Sequence, residues 1–148
     1  MIKNLFVNNS SKIKVDKLLV HKIVKQLKNY FDLNISSLTV NFITSEEIEK
    51  INIEYLNHHY STDIITFNYD DKNNLIDGEI FISSSDAEQN SKKYKVSFEE
   101  EILRLVIHGI LHLLGYDDQT KPQKKIMKKY ENQLLKNYKF LLLSSENN

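Results

Sequence analysis

The chain has 148 residues, of which 41% are hydrophobic and 27% charged, the size and balance of one globular domain rather than a disordered segment. It has no cysteine, which excludes thiol catalysis, thiolate metal sites and disulfide scaffolds. The 20 Lys plus Arg are balanced by 20 Asp plus Glu, which argues against nucleic-acid binding by bulk charge alone.

The charge is nevertheless segregated: residues 1–40 sum to +5, residues 41–118 to −10 and residues 119–148 to +5. Two basic ends around an acidic middle form either a basic rim in space or a set of ordinary solvated helix faces. No apolar run approaches the ~18 residues of a membrane span. The first residues have neither the apolar core nor the small-residue cleavage site of a signal peptide. The expectation is a soluble cytoplasmic protein with no membrane partner.

In chain order, Ile2 to Val7 reads as a strand. Asp16 can cap a helix whose apolar residues Leu18, Leu19, Ile23, Val24 and Leu27 recur at helical spacing. Leu38 to Ile43 alternates as a strand, and Thr44 with Glu47 fits a capping box for a helix holding Ile48, Ile51 and Leu56. Ile64 to Tyr69 and Gly78 to Ile82 read as a hairpin around a turn-rich loop. Ser83 or Ser84 opens a short helix to Lys93, and Ser97 with Glu100 suggests a second capping box before a strongly apolar helix to Leu114. Thr120 and Pro122 start a last helix with the stripe Ile126, Met127, Tyr130, Leu134 and Leu135. From Ser144 the tail is polar and expected to fray. The sum is about four strands and five helices in one α/β layer arrangement over residues 1–148.

The chemistry concentrates in Ile107 to Thr120. His108 and His112 are four residues apart and share one helix face, so both imidazoles can reach one ion. Gly115 is placed to stop the helix in the left-handed conformation and turn the chain back, bringing Asp118 or Asp117 to the same ion. Two His and one carboxylate leave a fourth position for water, the arrangement of a catalytic zinc site. The spacing 108, 112, 118 matches the ligand positions of the H-E-x-x-H-x-x-G-x-x-H metalloprotease pattern. Gly109 stands where the protease's general-base Glu belongs, which argues against a minimal metallopeptidase.

The run H-G-I-L-H-L-L-G-Y-D-D closely resembles the H-G-x-L-H-L-x-G-Y-D-H hallmark of the YbeY family of bacterial metal-dependent endoribonucleases. Ile51 to Tyr55, Thr62 to Phe67, Gly78 to Ser83, and Met127 with Glu131 resemble further family segments in order and spacing, over roughly Phe42 to Leu135. The resemblance implies an α+β fold: a mixed four-stranded sheet packed with helices, and a metal helix like that of the metzincins. It implies one divalent ion, Zn2+ with Mn2+ or Mg2+ as alternatives, held by His108, His112 and Asp118, the last where most members carry His. It implies hydrolysis of single-stranded RNA in maturation of the 16S rRNA 3′ end and in ribosome quality control. The implied partners are the small ribosomal subunit and an assembly GTPase.

Two further departures are visible. Leu56 replaces the family's Arg, a residue thought to contact RNA phosphate, and His58 and His59 are the nearby candidates to substitute as proton donors or phosphate contacts. Glu79 replaces an Asp and reads either as a plain strand residue or as a carboxylate orienting a ligand His. RNA would run along the edge near Thr62 to Phe67, steered by Lys121, Lys124, Lys125, Lys128 and Lys129, with Tyr60, Phe67 and Tyr116 as stacking or packing aromatics. A non-catalytic ribosome assembly factor with a structural metal is the alternative reading.

Overall fold

A computed structural model describes residues 1–56, 62–70 and 75–146, with side-chain surroundings through residue 143. In chain order it has β1 (Leu5–Asn9), α1 (Lys17–Phe31), β2 (Asn34–Ile43), α2 (Ser45–Leu56), β3 (Ile64–Asn68) and β4 (Leu75–Ser83), followed by α3 (Ser84–Tyr94), α4 (Phe98–Leu113), α5 (Lys121–Tyr138) and α6 (Phe140–Glu146). The strands form one mixed sheet in the order β1-β2-β4-β3, in which β1, β2 and β4 run parallel and the edge strand β3 runs antiparallel to β4. This is the expected α+β single domain. The helix α6 is an addition to the expected five, and it extends past the point where fraying was expected. No described helix is long and apolar enough to cross a membrane.

Strand alternation sorts the sheet into two faces. Leu38, Val40 and Phe42 of β2 with Ile76, Ile80 and Ile82 of β4 turn inward and join the main core beneath α1 and α4. The other face carries a smaller cluster in which Ile43 and Ile65 meet Ile48 of α2. Gly109 lets α4 lie close on the sheet: a Cβ there would stand 2.8 Å from Ile80 Cδ1 and 3.3 Å from Ile64 Cδ1.

The local signals are realised with some adjustment. Asp16, Ser83, Ser97 and Thr120 each accept a hydrogen bond from a first-turn amide of their helix. The Thr44–Glu47 box closes in both directions. At Ser97 the hydroxyl accepts from the Glu100 amide, while the Glu100 carboxylate lies 3.7 Å from Lys139 Nζ. β1 starts three residues later than expected, because Asn4 sits at φ 68 and turns the chain before pairing begins. Leu18 and Ile126 are 52% and 58% exposed: Leu18 shares the outer face of α1 with Lys25 and Asn29, and Ile126 stands about 100° around α5 from buried Met127.

Candidate metal centre

The centre is built by one helix end. After α4, the Tyr116 amide donates to the Leu111 carbonyl and the Gly115 amide to the His112 carbonyl, with Gly115 at φ +100. This pair of bonds satisfies the last carbonyls of the helix and reverses the chain. The Asp118 amide then donates to Asp117 Oδ1 at 2.7 Å, which pins the turn. The reversal brings Asp118 Oδ2 to 3.6 Å from His112 Nε2 and 3.9 Å from His108 Nε2.

One donor atom from each of His108, His112 and Asp118 lies within 4.8 Å of the other two. A tetrahedral ion with bonds of about 2.0–2.1 Å spaces its ligand atoms roughly 3.4 Å apart, so small side-chain adjustments close this set on one ion. Asp117 does not join the cluster and serves the turn instead.

Protonation also fits. His108 Nδ1 stands 2.8 Å from Glu131 Oε2. An ionised carboxylate only accepts, so Nδ1 carries the hydrogen, and the neutral ring then presents its lone pair at Nε2. Burial, and then the neighbouring His108, lower the His112 pKa against the pull of Asp118 and Asp117, favouring the neutral imidazole that binds metals.

Behind the histidines lies a buried ionic network. Arg104 Nη2 donates to Glu101 Oε2 at 2.6 Å and Arg104 Nη1 to Glu131 Oε1 at 3.0 Å. The Glu101 and Glu131 side chains are 1% and 4% exposed. Asn90 donates to Asp63 and to Glu101, and Asp63 lies 3.7 Å from Arg104. The hydrogen bonds that the guanidinium donates to Glu101 outweigh burial and raise the Arg104 pKa, so this charge is permanent. Burial alone would raise the Glu131 carboxyl; the His108 and Arg104 contacts outweigh it and hold the pKa below the ordinary carboxylate range.

Two open readings of the sequence are resolved. Glu79 does not orient a histidine. It lies on the face of the sheet away from α4, where its carboxylate accepts from Asn41 Nδ2 and the Tyr69 hydroxyl. Glu131 holds His108 instead. The sequence resemblance picked out Glu131 but not this role, whose only local signal was an acidic residue on the inward stripe of α5 between Met127 and Leu134. Phe67 and Tyr116 are packing residues: Phe67 meets Phe81 and Tyr55 edge-on, and Tyr116 lies against Tyr130. His58, His59 and Tyr60 fall outside the described residues.

A cleft of about 360 Å³ opens between α2, the edge strand β3 and the cluster, lined by Asn52, Leu56, Thr62, Asp63, Ile64, Ile65, Thr66, His108, His112 and Asp118. Thr62 to Thr66 form its β3 side. Of the α5 lysines, Lys124 and Lys128 line a second cleft that also touches His108 and Asp118.

Comparison with known proteins agrees with this arrangement. A family model described as endoribonuclease YbeY matches residues 5–139. The chain is 42% identical over 111 residues to the endoribonuclease YbeY of Flavobacterium johnsoniae, covering 75% of this chain and 76% of that one. It is 37% identical over 134 residues to the endoribonuclease YbeY of Chlorobium limicola, covering 90% and 92%. The solution structure of TM1509 from Thermotoga maritima superposes with a TM-score of 0.61 at 25% identity, covering 91% of each chain. The matched region runs from β1 into the residue that joins α5 to α6, and so includes the sheet, the paired histidines, the glycine turn and Glu131; the chain belongs to the YbeY endoribonuclease family.

Proposed function

We propose that the protein is a metal-dependent endoribonuclease that hydrolyses single-stranded RNA, with His108, His112 and Asp118 holding one divalent ion, zinc before manganese or magnesium. The observation that carries this reading is the convergence of three donors at the mouth of a cleft, one of them oriented from behind by a buried carboxylate. A bound ion would lower the pKa of a water and polarise a phosphoryl oxygen.

The chain's own groups supply the rest. Glu131 holds His108 in one tautomer and orientation. Asp63 and Asp118 are the carboxylates lining the β3-side cleft among the described residues. With Asp118 given to the ion, Asp63 would be the remaining carboxylate of this cleft, its Oδ2 held by Asn90 Nδ2 and facing Arg104. Thr62 and Thr66 offer polar contacts for a ribose. Gly109 stays apart from this chemistry, because a side chain there would meet Ile80 and Ile64 rather than the cleft.

The cellular substrate we assign is the 16S rRNA precursor at its 3′ end, within ribosome quality control in the cytoplasm, with the small ribosomal subunit and an assembly GTPase as partners. The test is cleavage of a short RNA spanning that 3′-end precursor by wild type and by His112→Ala purified identically, with zinc, manganese or magnesium supplied. Cleavage by wild type alone is expected; equal cleavage by both, or by neither, overturns the reading.

One observation favours a second reading, a ribosome-binding assembly factor with a structural metal. Leu56 lines the cleft, and no Lys or Arg lines it among the described residues. Restoration of rRNA 3′-end processing by His112→Ala in a deletion strain would establish that second reading.

A further inference from the structure

A phosphodiester brought to the cluster needs cations for its neighbouring phosphates, and the two clefts meeting at His108 and Asp118 differ in supplying them. On the β3 side the walls are Asn52, Leu56, Thr62, Ile64 and Thr66 with the carboxylate of Asp63, so this side offers an anion and no Lys or Arg among the described residues. On the α5 side a cleft of about 200 Å³ is lined by Arg104, Lys124, Met127, Lys128 and Glu131. Arg104 is engaged by Glu101 and Glu131, and Glu131 by Arg104 and His108. Lys124 and Lys128 are exposed and have no ion pair among the described residues. Their i, i+4 spacing stacks both ammonium groups along one side of α5.

We infer that Lys124 and Lys128 form a phosphate-binding subsite for the RNA strand on the α5 side of the cluster, while the β3-side cleft receives ribose and base. This rests on the endoribonuclease reading and adds a course for the substrate: backbone over α5, nucleoside toward β3. Single-stranded nucleic acid suits such a site, because its phosphates can be gripped while its bases turn away. Lys125 and Lys129 provide an internal control. They carry the same charge on the same helix, about 100° around its axis from the first pair.

The test uses the full chain and a fluorescein-labelled single-stranded RNA of about 12 nucleotides, within the usual site size of such proteins. Binding is followed by anisotropy over roughly 50–200 mM salt with a chelator present, and kcat and KM are measured separately on the zinc-loaded chain. Lys124→Gln/Lys128→Gln is expected to flatten the slope of log Kd against log salt by about 1.4, for two single-strand phosphate contacts. It is expected to raise KM with little change in kcat and to leave zinc affinity, measured by competition with a chromophoric chelator, at the wild-type value. Lys125→Gln/Lys129→Gln is expected to leave the slope unchanged. Equal effects of the two pairs overturn the subsite, as does an unchanged slope or a loss of zinc affinity in the first pair. Wild-type protein that neither binds nor cuts RNA overturns the endoribonuclease reading as well; wild type that does both, with a first pair indistinguishable from it, removes the subsite alone.

Discussion

The two sides of the sheet treat their carboxylates differently. On the side of α4, Glu131 is 3% exposed and held between Arg104 and His108. On the other face, half-buried Glu79 ends a chain of neutral side chains in which Asn8 donates to Asn41, Asn41 to Glu79, and Tyr69 also to Glu79. Both make hydrogen bonds, but only the first is enclosed where unpaired charge is costly, and only the first touches a side chain of the candidate metal centre. Burial and pairing, more than the residue type, separate a carboxylate that positions the site from one that belongs to the surface.

The comparison is tested hardest at Arg104. Arg104→Ala leaves Glu101 and Glu131 buried without their cation. Removing one partner of a buried ion pair costs about 3–5 kcal/mol, and a loss of that order is expected in urea unfolding. A loss below about 1 kcal/mol would class this network with exposed pairs.

Next comes Glu131→Gln. The amide can still accept from His108 Nδ1, but without charge, and can itself turn a donor toward the ring. Zinc affinity is expected to fall about 10–100-fold, as for other residues that orient a ligand histidine. An unchanged affinity in a competition titration would leave Glu131 a purely structural residue.

These two roles mark the limit of what the sequence disclosed. The paired histidines, the helix stop at Gly115 and the return of Asp118 were legible because every interaction that builds them spans ten residues or fewer. Glu131 stands 23 residues from His108, and its contact exists only because α5 packs beside α4. Of the two readings of Glu79, the sequence already held the reason for the plain strand residue: Gly78, Ile80 and Ile82 alternate inward, which turns Glu79 outward. Parallel pairing of β1 with β2 and of β2 with β4 had no local mark. Helical geometry itself puts Leu18 on the outer face of α1 away from the buried stripe, whereas Ile126 flanks the stripe of Met127, whose width packing decides.

Acid should expose the same asymmetry more gently. The folded Glu131 pKa lies below its ordinary value, so its contribution to stability is complete above about pH 4.3, the unfolded value, and is lost as pH falls through the lower folded pKa. Glu131→Gln should therefore flatten the pH dependence of unfolding below about pH 5, on a protein already less stable at neutrality. Parallel wild-type and variant curves between about pH 5 and 2 would place the acid response elsewhere.

The smallest effect is expected at Glu79→Gln. The substitution keeps an oxygen for Asn41 or Tyr69 and removes a charge that is paired with no cation among the described residues, so stability should stay within about 0.5 kcal/mol of wild type, the range of ordinary surface changes. Zinc affinity should not move, because the sheet separates Glu79 from both histidines. That null result discriminates only beside Glu131→Gln: the two variants make the same chemical change on opposite sides of one sheet. If Glu79→Gln weakened zinc binding as much as Glu131→Gln, charge at long range would set the affinity of the centre. If Glu131→Gln alone weakens it, the contact with His108 does.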